Sequence, residues 1–186
     1  MNYQNLIRHY TKILKEFFTI KGSLFEDFLN LTAERLKAGH KILVFGNGGS
    51  AAQAQHFAAE MVNKFLKIRP PLKAISLTTD TSTLTSISND TSFEHVFSRQ
   101  IEALGEKGDV AVALSTSGNS PNIIKAIEVA KRKELLTAGF TGKGGGQLSK
   151  LVDYLLDVPS ESTPRIQEAH LLLLHLLAQE LESRLS

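Results

Sequence analysis

The chain has 186 residues, 42% of them apolar and 22% charged, and a formal net charge of only +2 at pH 7. A chain of this length can bury a substantial core, and the composition is that of an ordinary globular protein. The basic residues are scattered, which argues against a nucleic-acid-binding face, and the absence of cysteine excludes disulfides and thiolate metal sites.

Residues 1–38 predict two helices with a break near Lys21–Ser23. Ile7, Tyr10, Ile13, Leu14 and Phe17 recur at helical spacing, and so do Phe25, Phe28, Leu29, Thr32 and Leu36. The stretch lacks the layout of a signal peptide. Short apolar runs follow at 41–46, 72–77, 109–115, 136–141 and 154–159. Continuous runs of this kind suit strands covered on both faces. Helical stretches alternate with them at 50–66, at 81–105 with a break at "NDTSF", and at 119–133, and a last helix covers about 165–184. The alternation predicts a doubly wound parallel α/β sheet in one domain spanning 1–186. The run "LLLLHLLA" is far too short to cross a membrane. The expectation is a cytoplasmic protein with neither membrane nor nucleic-acid partners.

Ligands of such sheets bind beyond the carboxyl ends of the strands, and the chain places unusual residues there. "GNGGS" (46–50), "TTDTS" (78–82), "STSGNSP" (115–121) and "TGKGGG" (141–146) follow the first four strands in turn. In "STSGNSP", hydroxyls and a glycine fill the turn, and Asn119 or Ser120 can cap the next helix. Backbone amides and hydroxyl donors at a helix start suit a phosphate; a plain capped turn would need only one of these hydroxyls. "GNGGS" has neither the dinucleotide fingerprint spacing nor the P-loop lysine. "TGKGGGQ" also lacks the P-loop spacing and reads as a flexible turn.

His56 and Glu60 are four residues apart on an alanine-rich helix, so they share a face. That spacing suits two ligands of one metal, a base held by a histidine, or a solvated surface pair. The last helix carries Gln167, His170 and His175, with His175 set among leucines. His170 and His175 point about 140° apart at 3.6 residues per turn, so at most one of them serves a catalytic site.

Together, "FGNGGSAAQAQHFAAE", "LTTDTSTLTSISND", "LSTSGNSPN" and "TPRIQEAHLLLLH" resemble the phosphoheptose isomerases of the sugar isomerase (SIS) domain family, in the same order from about residue 40 to 180. The resemblance implies a flavodoxin-like five-stranded parallel sheet flanked by helices, and a homotetramer. It implies conversion of the sugar phosphate sedoheptulose 7-phosphate to D-glycero-D-manno-heptose 7-phosphate, the first step toward the ADP-heptose of lipopolysaccharide core. It also implies one zinc ion per active site. By position, His56, Glu60, Gln167 and His175 match the metal-site residues, and Glu60 and His175 also match the catalytic pair. Asn47, Gly48, Gly49, Ser50, Asn89, Asp90 and Gln167, with Glu60, match the sugar-binding residues, and Ser115, Thr116, Ser117 and Ser120 match the phosphate-binding ones. Gln53 stands where an aspartate is frequent and Lys64 where an arginine is frequent; lysine cannot form a bidentate fork.

On that resemblance Glu60 is the base, moving a proton from C1 to C2, and His175 the acid or relay. The rival readings are a replication-control protein related to the DnaA-initiator-associating proteins, and a sugar-phosphate sensor. Retention of both Glu60 and His175 favours the enzyme. Gln167 and His175 are eight residues apart, about 12 Å along a straight helix. The two converge on one ion only if Gln167 precedes the helix or if they come from different chains. The second is expected, with active sites at subunit interfaces.

Overall fold

The computed structural model describes residues 3–185, so Met1 and Asn2 of the predicted N-terminal helical segment lie outside it. The elements are α1 (Tyr3–Lys37), β1 (Ile42–Gly46), α2 (Gly49–Val62), β2 (Ala74–Ser76), α3 (Thr81–Asp90), α4 (Ser98–Leu104), β3 (Val110–Ser115), α5 (Pro121–Arg132), β4 (Leu136–Thr141), β5 (Tyr154–Asp157) and α6 (Thr163–Leu185). Two short 3-10 turns, Phe93–His95 and Gly146–Lys150, complete them.

The five strands form one parallel sheet in the order β2-β1-β3-β4-β5. Alternate strand residues feed opposite cores. Ile42, Val44, Val110, Val112 and Leu114 join α1, α2 and α6 on one face. Leu43, Phe45, Ala111 and Ala113 join α4 and α5 on the other. Both side-chain sets are buried, which is why these strands read as unbroken apolar runs.

The expected break at Lys21–Ser23 is absent: α1 is one 35-residue helix. Glycine within a helix costs about 1 kcal/mol, but the buried stripe of Ile13, Phe17, Phe25, Phe28 and Leu29 stays in phase across Gly22. Burying each such side chain returns about 1.5–3 kcal/mol. Lys21 Nζ, at the expected break, lies 2.7 Å from Asp157 Oδ1 at the end of β5. α2 ends at Val62 rather than near 66, because the segment beyond it is drawn onto α6. The predicted 81–105 stretch divides into α3 and α4 around the 3-10 turn, as its break suggested.

α6 carries two histidines in different surroundings. His170 is fully buried, within hydrogen-bonding distance of the Thr141 carbonyl through Nε2 (3.0 Å) and edge-on to Phe140. His175, although set among leucines, is only half-buried. Burial pushes the His170 pKa down to about 4. Below an unfolded-state value of about 6.5 the unfolded chain takes up this proton and the folded chain does not. Stability therefore falls as pH drops from about 6.5 to about 4. The loss amounts to about 3 kcal/mol when complete. Urea denaturation across this range is expected to show that fall in the native protein and a shallower one in His170→Gln.

Candidate active site

The strand order 2-1-3 reverses direction between β1 and β3, and such reversals open a crevice at the carboxyl edge of the sheet. The turn after β1 is compressed: a Cβ on Gly46 would lie 2.8 Å from Ser50 Cβ and 2.9 Å from the Leu114 carbonyl. Gly48 takes φ 54°, favoured by glycine, and α2 starts without a side-chain cap. Across the crevice, the Asn47 and Asn122 amides exchange two 2.9 Å hydrogen bonds, tying the β1 turn to the start of α5.

The β3 turn holds the predicted phosphate residues. Ser115 is buried and its Oγ accepts from the Gly118 N–H at 3.2 Å. Ser115 Oγ and Ser120 Oγ are 3.4 Å apart, and the Asn119 N–H donates to Ser117 Oγ at 3.2 Å. Thr116 is half-buried and Ser117 exposed. Ser120 occupies the N-cap position of α5, but neither it nor Asn119 makes the expected capping bond. The hydroxyl stands beside a helix start that it does not satisfy, an arrangement suited to an anion.

"TGKGGGQ" is a buttress rather than a flexible turn. The Leu148 N–H donates to the Gly118 carbonyl at 3.1 Å and the Gln147 N–H to Asn119 Oδ1 at 2.9 Å. Gly118 has φ 64°, and a Cβ there would overlap the Gly145 carbonyl; a Cβ on Gly146 would lie 2.5 Å from the Ser117 carbonyl.

His56, Glu60 and His175 meet within one chain. His56 Nε2 and His175 Nε2 are 2.8 Å apart, and Glu60 Oε1 is 3.6 Å from His56 Nε2. The Phe65 ring lies against His175 with centroids 5.5 Å apart. The His56 side chain is 44% exposed and that of Glu60 24%, so the cluster opens to solvent in the single chain. Two imidazoles and a carboxylate are a donor set common at zinc. As placed, the two imidazoles face each other in hydrogen-bond contact, and among the described residues no three such side chains stand in ligand geometry. Zn–N bonds of about 2.0–2.1 Å would hold the two nitrogens about 3.3 Å apart. The donor chemistry thus fits, and a small ring rotation separates the placed geometry from a metal-binding one.

Gln167 lies inside α6, so it does not precede the helix. Its side chain sits over the β1 turn, where a Cβ on Gly49 would be 2.8 Å from Gln167 Nε2. Gln53 Nε2 donates to the Gln167 carbonyl at 2.7 Å. Ser50 is buried in the first turn of α2. Asn89 and Asp90 are exposed at the end of α3 and bond to each other at 2.8 Å; the fold does not draw them into the cluster. Lys64 is exposed just beyond α2. Sequence reasoning passed over Asn122, whose only signal is an amide in the first turn of a helix that starts at the crevice.

A parallel sheet with a hydroxyl-lined turn beside its topological switch point defines a doubly wound α/β domain that binds its ligand at the carboxyl edge of the sheet, and similarity to known proteins narrows the class. Residues 6–142 match the family model described as SIS domain. A phosphoheptose isomerase of Desulfovibrio desulfuricans is 54% identical over 90% of this chain and 80% of its own. One from Campylobacter jejuni is 51% identical over 92% of each chain. The solved structure of phosphoheptose isomerase GmhA from Neisseria gonorrhoeae has TM-score 0.89 and 41% identity, covering 98% of this chain and 100% of its own. The chain belongs to the SIS domain family, in its phosphoheptose isomerase branch.

The glycine contacts give a graded prediction. In Gly144→Ala the positive φ of 80° meets open space, so the cost is about 1–2 kcal/mol. In Gly118→Ala the same penalty adds to a backbone overlap, and the loss should exceed about 3 kcal/mol. Urea denaturation of both variants measures the difference.

Proposed function

We propose that the chain is an aldose–ketose isomerase converting sedoheptulose 7-phosphate to D-glycero-D-manno-heptose 7-phosphate, the first step toward ADP-heptose. The observation that carries this reading is the meeting of His56, Glu60 and His175 at one point, in a chain whose relatives are named for this activity. The replication-control and sensor readings gain no support from those relatives.

The phosphate would sit on Ser115, Thr116, Ser117 and Ser120 at the start of α5, where hydroxyls and the positive end of the helix favour an anion. Asn47, Gly48, Gly49 and Ser50, with Asn89, Asp90 and Gln167, would face the sugar chain. Isomerisation moves a proton between C1 and C2 and hydrogen between their oxygens. Glu60 takes the proton from C1 and returns it at C2. His175 serves the oxygens as acid or relay, with His56, in contact with both, as its link to Glu60. His56, Glu60, Gln167 and His175 would hold a zinc ion, whose chemistry when bound is Lewis-acid polarisation of the carbonyl.

The proposed assembly is a cytoplasmic homotetramer. Its support is the apolar surface that α1 leaves in the open, with Tyr3 68%, Ile7 63% and Ile20 60% exposed; unpaired surface of this kind favours self-association. Because Gln167 sits inside a continuous α6, the distance argument assigns the Gln167 of each site to a neighbouring chain, while Glu60 and His175 come from one.

Purified protein with sedoheptulose 7-phosphate should form the aldose, and failure to do so would remove the assignment. Glu60→Gln should lower kcat by about 10² to 10⁴. Ser117→Ala should instead raise KM about tenfold, the loss of one bond to a charged group. Reassembly of Glu60→Gln with Gln167→Ala chains should restore part of the activity, and Glu60→Gln with His175→Ala should restore none. The reverse pattern would place the chain boundary between Glu60 and His175. Chelation should lower turnover and zinc restore it.

A further inference from the structure

Beyond the proposed reacting groups, a buried ion pair connects the two helices that carry them. Glu182 lies on α6 seven residues past His175, two turns along the same face. Its carboxylate accepts from three consecutive backbone N–H groups, those of Phe65 (2.9 Å), Leu66 (2.8 Å) and Lys67 (2.9 Å). Arg69 Nε stands 3.3 Å from Glu182 Oε1, and the two side chains are 1% and 2% exposed. Arg69 reaches α2 with its other nitrogens: Nη2 donates to the Glu60 carbonyl and Nη1 to the Met61 carbonyl, each at 2.9 Å. Burial pushes the Glu182 carboxyl up, but the three N–H groups and the guanidinium outweigh it and hold the group below the usual carboxylate range.

An apolar contact would serve stability as well, since buried ion pairs often gain little over well-packed hydrophobic residues. What an apolar contact cannot do is hold a particular backbone carbonyl. This pair grips the peptide of Glu60 itself. By binding the Phe65 N–H it also sets the residue whose ring lies 5.5 Å from His175. We infer that Glu182 and Arg69 are positioning residues for the isomerase: through the Glu60 carbonyl and Phe65 they set the approach of α2 to α6 that brings Glu60, His56 and His175 together. This inference rests on the proposed roles of Glu60 and His175.

Three variants test it, each assayed with sedoheptulose 7-phosphate and each crystallised. Glu182→Gln keeps shape and removes the charge. Arg69→Lys keeps the charge and removes the fork that reaches both carbonyls. Phe65→Leu leaves the buried pair intact and removes the ring from His175, so it reports even if the buried-charge variants fail to fold. Small misplacement of reacting groups costs rate rather than binding, so kcat should fall about tenfold or more in the first two variants while KM stays within about threefold. Phe65→Leu, which trims a ring packed against the core, should lose kcat severalfold while the protein stays folded at the assay temperature. In the crystals of the first two, the His56–His175 separation should exceed that in wild-type crystals of the same metal content. A kcat within about twofold of wild type in folded Arg69→Lys and in Phe65→Leu, or a His56–His175 separation in the Glu182→Gln or Arg69→Lys crystals equal to that in wild-type crystals of the same metal content, would overturn the inference. Wild-type protein without turnover would sink the proposed reaction, while the His56–His175 separation in the crystals still decides the positioning.

Discussion

The pairing of β1 with β3 is the constraint on which the rest of the site depends. Phe45 faces Ala113 and Gly46 faces Leu114 across the ladder, although the two strands are far apart in the chain. Because the pairing is parallel, both strands deliver their turns to the same edge of the sheet. Their helices then part, α2 to one face and α5 to the other, which opens the crevice between the turns. The Asn47–Asn122 amide pair closes the floor of that crevice. Each amide gives its partner a donor and an acceptor, so two polar side chains are held there without loss of hydrogen bonding.

Much of the fold was legible because the strands are covered on both sides. Ile42 to Phe45 could be read without knowing which residue faced which helix, since both faces are apolar. α1 was misread at Gly22 because a local preference of about 1 kcal/mol was set against packing that the sequence alone does not display. The β3 turn was legible through its density of hydroxyls, and His56 with Glu60 through helical spacing. The arrival of His175 beside His56 was not readable from spacing, since 119 residues separate them. For the same reason the "TGKGGGQ" turn read as loose: its partner is the earlier "STSG" turn, and only strand pairing brings the two together.

α6 connects these parts by presenting different residues to different neighbours. Gln167 covers the Gly49 turn, His170 reaches the end of β4, His175 meets α2, and Glu182 takes the segment after α2. The two histidines show how the helix divides its work. His170, against the sheet, is sealed and held neutral by burial; His175, turned toward α2, keeps access to solvent. Their different roles follow from which side of α6 meets the sheet, and the neighbouring leucines did not reveal that side.

The contact between Gly118 and the Gly145 carbonyl bears on how this scaffold can diversify. Neither Gly118 nor Gly146 admits a side chain without moving the opposite turn, so a new residue at either position requires a coordinated second change. The hydroxyl-lined end of the crevice is in that sense frozen against single-step evolution. Asn89, Asp90 and Lys64 stand in the open with room around them. Sequence change can therefore accumulate one residue at a time at those exposed positions while both glycine turns stay as they are.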